Sequence, residues 1–354
     1  MVMDLQQTIA AVRPPCEQSR AAAAERFSDI AIPLGSLGLL QDAVAQIAAI
    51  RRTPRPSIKK RAVVMFCADN GVVAQGVTQC GQEVTATVTE NMGRGKSTVC
   101  LMAQHIGMDS FPVDIGVARD VQGERILRRK IRYGTANMTK EPAMARQEAV
   151  RAIEVGISLA EWCASEGYDL ICGGEMGIGN TTTSAAVTAA LTGAAVEAVT
   201  GRGAGLSTEG LQRKVRAIET ALALHQPDPN DPIDVLHKVG GLDIAGMAGL
   251  YLGAAACGLP AVLDGVISCA AALIAVRLCP EVRGYLLAGH RSEEPAGKLL
   301  LDELGLQPFI SAGMRLGEGT GAVAAVSLLD LVMAAYNGMP SFAEAGVEAY
   351  QPLT

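Results

Sequence analysis

Short apolar runs along the chain alternate with longer stretches in which apolar residues return every three or four positions. Ala62–Ala68 (A-V-V-M-F-C-A) is one such run, preceded by the basic cluster Lys59–Arg61 and followed by Asp69–Asn70–Gly71. Phe111–Val117, Tyr168–Cys172, Pro260–Leu263 and Tyr285–Ala288 are further runs. Short apolar runs bounded by turn residues predict strands buried on both faces. Between them, Arg146–Ser165 places Val150, Ile153, Ile157 and Ala160 at helical steps, with Arg146, Arg151, Glu154, Ser158 and Glu161 mainly on the other side. Gly167 follows as a helix terminator. Strands alternating with helices predict an α/β fold: a mostly parallel, Rossmann-like sheet with helices on both faces. Ligands of such sheets bind at the carboxyl ends of the strands. The residues just after each run therefore matter most.

The two ends break this rhythm. Residues 1–50 carry Ala- and Leu-rich helical patterns without a credible buried strand, and from Gly321 the pattern A-V-A-A-V-S-L-L-D-L-V-M-A-A-Y is helical again. The expected division is a small helical domain from residues 1–55 together with 322–354, beside a large α/β domain over 56–321. Ile244–Leu263 runs for twenty residues without a charge, enough to raise the question of a membrane span. Gly258 and Pro260 split it into a buried helix and a short strand. Met1–Arg13 has Asp4, Gln6 and Gln7 and no long apolar core, unlike a secretory signal. The expectation is a cytoplasmic protein with no membrane partner.

Composition narrows the function classes. Thirty Lys+Arg against thirty-six Asp+Glu give a net charge of −6, which argues against nucleic-acid partners. Aromatics make up 3%, too few for a base-stacking platform, while 49% hydrophobic and 19% charged residues allow a large core. The nine cysteines show no C-x-x-C spacing and read as small hydrophobes in a reducing compartment; only Cys80, in a polar loop, is placed for function. The four histidines form no ligand cluster, so neither a metal nor a cofactor is expected.

Three glycine-rich segments are candidates for chemistry. In Tyr168–Ala186 a strand runs into Gly173, Gly174, Gly177 and Gly179, and Thr181–Thr182–Thr183 then open an Ala-rich helix. Glycines let backbone approach an anion, and the N–H groups of a helix start bind it. A Walker A loop would need Lys where Asn180 stands, and no G-x-G-x-x-G turn with a later ribose-binding acid supports a nicotinamide dehydrogenase. Thr200–Ser207 is a second Gly-rich stretch, followed by a helix carrying Lys214, which gains meaning if it reaches the same anion. Met314–Gly321 sets Glu318 between two glycines, where loss of water would turn its carboxylate into a useful base.

These segments share a wider pattern: P-L-G-S-L-G at Pro33–Gly38, C-A-D-N-G at Cys67–Gly71, E-V-T at Glu83–Thr85 and E-N-M at Glu90–Met92. G-E-M-G-I-G-N-T-T at Gly174–Thr182, V-G-G-L-D at Val239–Asp243, G-L-P-A-V-L-D-G at Gly258–Gly265 and M-R-L-G-E-G at Met314–Gly319 extend it over nearly the whole chain. In these motifs the sequence resembles the nicotinate-nucleotide–dimethylbenzimidazole phosphoribosyltransferase family, which activates the lower-ligand base of cobamides. The resemblance implies transfer of the phosphoribosyl group of nicotinate mononucleotide to such a base, and a dimer, homotypic or with a paralogous subunit. It implies Glu318 as general base, Gly177, Gly179, Asn180 and Thr181 around the phosphate with Lys214 nearby, and Glu175, Ser292 and Arg315 lining the nucleotide site.

The chain departs from the family at the acceptor end. The familiar A-D-H-G reads A-D-N-G with Asn70; S-P-K-E-V-T reads C-G-Q-E-V-T from Cys80; a frequent Gln is Val88; and G-E-L-G carries Met176. Val88 and Met176 would make the pocket more apolar, and burying an unmatched ring nitrogen costs about 1–3 kcal/mol. A phenolic acceptor, phenol or p-cresol, is therefore expected beside dimethylbenzimidazole. The alternative is a non-catalytic or weakly catalytic paralogous subunit of a heterodimeric enzyme.

Overall fold

The structure, a computed structural model, describes residues 3–350. Its strands are β1 (Arg61–Ala68), β2 (Asp109–Gly116), β3 (Leu127–Arg128), β4 (Leu170–Met176), β5 (Ala261–Leu263) and β6 (Leu286–Ala288). Helices α1 (Leu5–Ala11), α2 (Glu17–Asp29) and α3 (Leu39–Arg51) precede the sheet. Helices α4 (Glu83–Gly93) and α5 (Thr98–His105) join β1 to β2, and α6 (Arg146–Ser165) leads into β4. Between β4 and β5 come α7 (Asn180–Thr192), α8 (Val196–Val199), α9 (Thr208–His225), α10 (Pro232–Val239) and α11 (Leu242–Cys257). Then follow α12 (Val266–Leu278), α13 (Ala296–Leu304), α14 (Thr320–Gly338) and α15 (Phe342–Ala345).

The strands pair in the order β3-β2-β1-β4-β5-β6, and every neighbouring pair is parallel. All of β1 is buried, as a strand covered on both faces requires. Ala62, Val64, Phe66 and Ala68 join the core under α6, α7, α10, α11 and α12, whereas Val63, Met65 and Cys67 join the core under α3, α4, α5 and α14. The α/β architecture expected from the alternating pattern is the one observed.

The uncharged stretch Ile244–Leu263 divides into α11 and β5, with Gly258 at φ +70° ending the helix. Its glycines serve helix contact. A Cβ at Gly249 would lie 1.8 Å from Ile153 O, and one at Gly156 would lie 1.9 Å from Gly246 O, so α6 and α11 touch backbone to backbone. Among the described residues only α14 is long and apolar enough to cross a membrane, and its Val323, Val326 and Leu329 lie in the core shared with β1.

The terminal segments meet. The Phe27 and Tyr336 rings lie 4.7 Å apart, Arg26 Nε donates to Tyr336 O at 3.0 Å, and Tyr336 Oη donates to Pro54 O at 2.6 Å. Helix α14 lies on the sheet as well as on α3, so residue 322 falls within a continuous helix. Residues 351–354 lie outside the described residues. Two strands differ from expectation. Strand β4 continues through Gly173 and Gly174 to Met176, and β3 is a two-residue edge strand without an apolar run to announce it.

Candidate active site

Strands β1 and β4 are the central neighbours from which the order runs outward in both directions, the point where open parallel sheets bind ligands. One cleft opens there. The turn after β4 lines it with Gly177, Gly179, Asn180 and Thr181, and the end of β4 itself adds Glu175 and Met176. Cys80 faces it from the loop before α4, Ser292 from the segment after β6, and Arg315 and Glu318 from the loop before α14. The loop Arg202–Leu206 closes the remaining side.

Lys214 stands behind this wall, fully buried on α9. Its Nζ donates to Thr181 Oγ1 at 2.7 Å and to Gly201 O at 3.0 Å. Burial lowers its pKa to about 8, a shift that the nearby Glu294 carboxylate opposes. Glu294 also accepts the Gly203 N–H at 3.1 Å, and Gly203 brings the second glycine-rich stretch against the first, since a Cβ there would lie 2.8 Å from Thr181 Oγ1. A lysine, a threonine hydroxyl and the start of the thirteen-residue helix α7 thus converge, with Gly179 at φ +92° turning the chain into that helix. Such a set favours a dianionic group through charge-assisted hydrogen bonds and the helix dipole.

The other half of the cleft is acidic. Asn180 Nδ2 donates to Glu175 Oε2 and, at 3.1 Å, to Asp243 Oδ2. Burial first, then the Asp243 and Asp264 charges, push Glu175 up to about 8; burial likewise raises Asp243 to about 6. Burial and its acidic neighbours therefore disfavour the charged form of Glu175.

Glu318 has φ +63°, between Gly317 at +87° and Gly319 at +101°. It carries a side chain in a conformation that costs an L-residue about 1–2 kcal/mol, and such strain is concentrated at functional sites. Its Oε2 accepts the Val99 N–H at 3.1 Å, its own N–H reaches Glu175 Oε1 at 3.4 Å, and burial raises its carboxyl above the usual range. Gly174 explains the close fit, since a Cβ there would lie 2.3 Å from Glu318 O.

Comparison with known proteins decides the family. A family profile described as Phosphoribosyltransferase matches residues 12–347. The chain is 48% identical to the nicotinate-nucleotide–dimethylbenzimidazole phosphoribosyltransferase of Acetivibrio thermocellus over 92% of its length and 93% of the relative. It is 43% identical to the protein of that name from Ruminiclostridium cellulolyticum, over 99% of this chain and all of the relative. The crystal structure of CobT from Thermus thermophilus superposes with a TM-score of 0.90 at 40% identity, covering 94% of this chain and all of that one. The chain belongs to the nicotinate-nucleotide–dimethylbenzimidazole phosphoribosyltransferase family. It is accordingly a phosphoribosyltransferase, a pentosyl-transferring enzyme of cobalamin-related chemistry.

Against that family's motifs, the departures fall unevenly. Asn70 is fully buried, its Nδ2 at 3.4 Å from Ile178 O and its Oδ1 without a partner among the described residues. Cys80 and Met176 border the cleft. Val88 does not: it is half-buried on α4 and packs against the same apolar core as Met176. Two acids and a histidine escaped the sequence reading. Asp264 stands one residue past an apolar strand, His290 two past β6, and Asp243 opens α11. Position at a strand end was the signal that could have found all but Asp243.

Proposed function

We propose that this enzyme transfers the phosphoribosyl group of nicotinate mononucleotide to a benzimidazole-type lower-ligand base of cobamides, releasing nicotinate and forming an α-ribotide. One observation carries the reading: Thr181, held from behind the wall by Lys214, and the strained Glu318 carboxylate line one cleft at the carboxyl ends of β1 and β4. The phosphate is held at the start of α7, remote from the reacting carbon, so its binding energy orients the ribose. The C1′–N bond to the pyridinium breaks and its electron pair returns to the ring nitrogen, so nicotinate leaves without help from an acid. The acceptor nitrogen attacks C1′ from the opposite face, which inverts the β linkage. Its other nitrogen loses a proton to Glu318, whose carboxylate burial makes a stronger base than a solvated glutamate. Glu175, beside this turn and accepting the Glu318 N–H, has its charged form disfavoured by burial.

Phenol or p-cresol is a second acceptor class, supported by the apolar Met176 on the cleft wall. Val88, set back from the opening, lends it nothing. The intact Glu318 and Lys214 favour catalysis by this chain over a silent subunit role; dimerisation, homotypic or with a paralogue, belongs to the same proposal. The test incubates the purified chain with nicotinate mononucleotide and each acceptor, and follows nicotinate and ribotide by chromatography. Equal amounts of both, dependent on acceptor, are expected. Nicotinate release that ignores the acceptor would defeat the reading.

A further inference from the structure

Two buried groups beside the cleft take no part in the transfer steps above. Asp264, after β5, is 2% exposed and accepts three backbone N–H groups at the start of α14: Gly319 at 3.1 Å on Oδ2, and Gly321 and Ala322 at 2.7 and 3.3 Å on Oδ1. A carboxylate at a helix N-terminus satisfies free N–H groups and meets the positive end of the dipole. These amides follow Glu318 directly, so Asp264 grips the backbone that carries it.

His290, after β6, is also 2% exposed and completes the arrangement. Its Nε2 lies 3.6 Å from Asp264 Oδ1. The ring fills the space left by two glycines: a Cβ at Gly321 would lie 1.8 Å from Cδ2, and one at Gly265 would lie 3.2 Å from Nε2. Burial disfavours a charged ring, yet the Asp264 carboxylate outweighs it and holds the His290 pKa above its ordinary value. Asp264 needs such a partner, because its charge bears on Glu175 and Glu318, both acids. A residue held at φ +63° persists only where its surroundings over-determine it.

We propose that His290 is a positioning residue: through Nε2 it keeps Asp264 on the amides of Gly319, Gly321 and Ala322, and so holds Glu318 in its left-handed turn. The part Glu318 plays rests on the proposed function; the grip on the turn does not. The test is amide hydrogen exchange in the full-length, unliganded chain, comparing wild type with His290→Leu, which fills the space without a donor, and His290→Gln, which restores an N–H. Exchange over Gly317–Ala322 should quicken at least about tenfold in His290→Leu and stay within about threefold of wild type in His290→Gln, with β1 unaffected in both. In turnover, His290→Leu should lose about 10- to 100-fold in kcat with the KM for nicotinate mononucleotide nearly unchanged, and His290→Gln should recover most of it. If His290→Leu does not fold, His290→Asn, too short to bring its amide to Asp264, replaces it. Unchanged exchange in the donor-free variant, or equal quickening in both variants, overturns the proposal. A wild-type chain without transferase activity would count against the proposed function alone, since the exchange comparison decides this one independently.

Discussion

Replacing Glu318 by Ala and, separately, by Gly tests the base and the strained backbone together. Both changes remove the carboxylate, and a positioned base contributes about 10²- to 10⁴-fold, so turnover should fall at least 100-fold in each. Stability should separate them. Either substitution leaves the Val99 N–H without the acceptor it now has at 3.1 Å, a loss of about 1 kcal/mol. Ala keeps the left-handed penalty, whereas Gly escapes it, and the gain of about 1–2 kcal/mol exceeds the roughly 0.5–1 kcal/mol that extra unfolded-state freedom takes back. The Gly variant should therefore be the more stable by up to about 1 kcal/mol, or about 1–2 °C in Tm for a chain of this size. Glu318→Gln, which keeps the acceptor oxygen, should match wild type in stability while losing turnover. Steady-state nicotinate release and thermal melts on the same preparations supply both readings. An Ala variant within threefold of wild-type kcat, or one more stable than the Gly variant, would refute the reasoning.

Lys214→Met should raise the KM for nicotinate mononucleotide about 10- to 100-fold, the scale of one charge-assisted hydrogen bond, and nicotinate riboside should be a poor donor for the wild type. Equal use of riboside and ribotide would remove the anion site from the account. Glu175 titrates near 8 when folded and near 4.3 when unfolded. Between those values the folded chain binds the extra proton, so this contribution to stability, complete at low pH, is lost as pH rises through 8. Urea unfolding from pH 5 to 8 should show wild type losing stability relative to Glu175→Gln, by at most about 1.4 kcal/mol per pH unit; a pH-independent difference would contradict the buried, protonated acid. In competition between dimethylbenzimidazole and p-cresol, Val88→Gln should leave the product ratio within about twofold, while Met176→Gln should shift it toward the benzimidazole by about tenfold, the worth of one polar partner.

Much of the fold was legible because β1, β5 and β6 are buried strands and β2 is buried from Pro112 on, and burial on both faces writes itself as an apolar run. Strand β4 is longer than its apolar run, since Gly173 and Gly174 look like loop. They are strand positions that make room for the Tyr251 hydroxyl, 2.2 Å from where a Cβ of Gly173 would sit, and for the Glu318 carbonyl. The site residues inside contiguous glycine-rich motifs were legible for the same local reason. Asp264 and His290 were not, because their meaning comes from contact with backbone far along the chain, as when Asp264 meets Gly321. Val88 was named from its place in a motif, which says which residue is present and not whether it lines the cleft.

The central claim is that one cleft at the β1–β4 switch point both anchors the phosphate and deprotonates the acceptor during a single inverting displacement. The measurement that bears on it most directly is the proton NMR spectrum of the anomeric centre in the product formed by the purified chain from nicotinate mononucleotide and dimethylbenzimidazole. Wild type should give an α-linked ribotide appearing in step with nicotinate, and Glu318→Ala essentially none. A β-linked product, which would signal retention through two displacements, or an α-linked product formed equally well by Glu318→Ala, would contradict the claim.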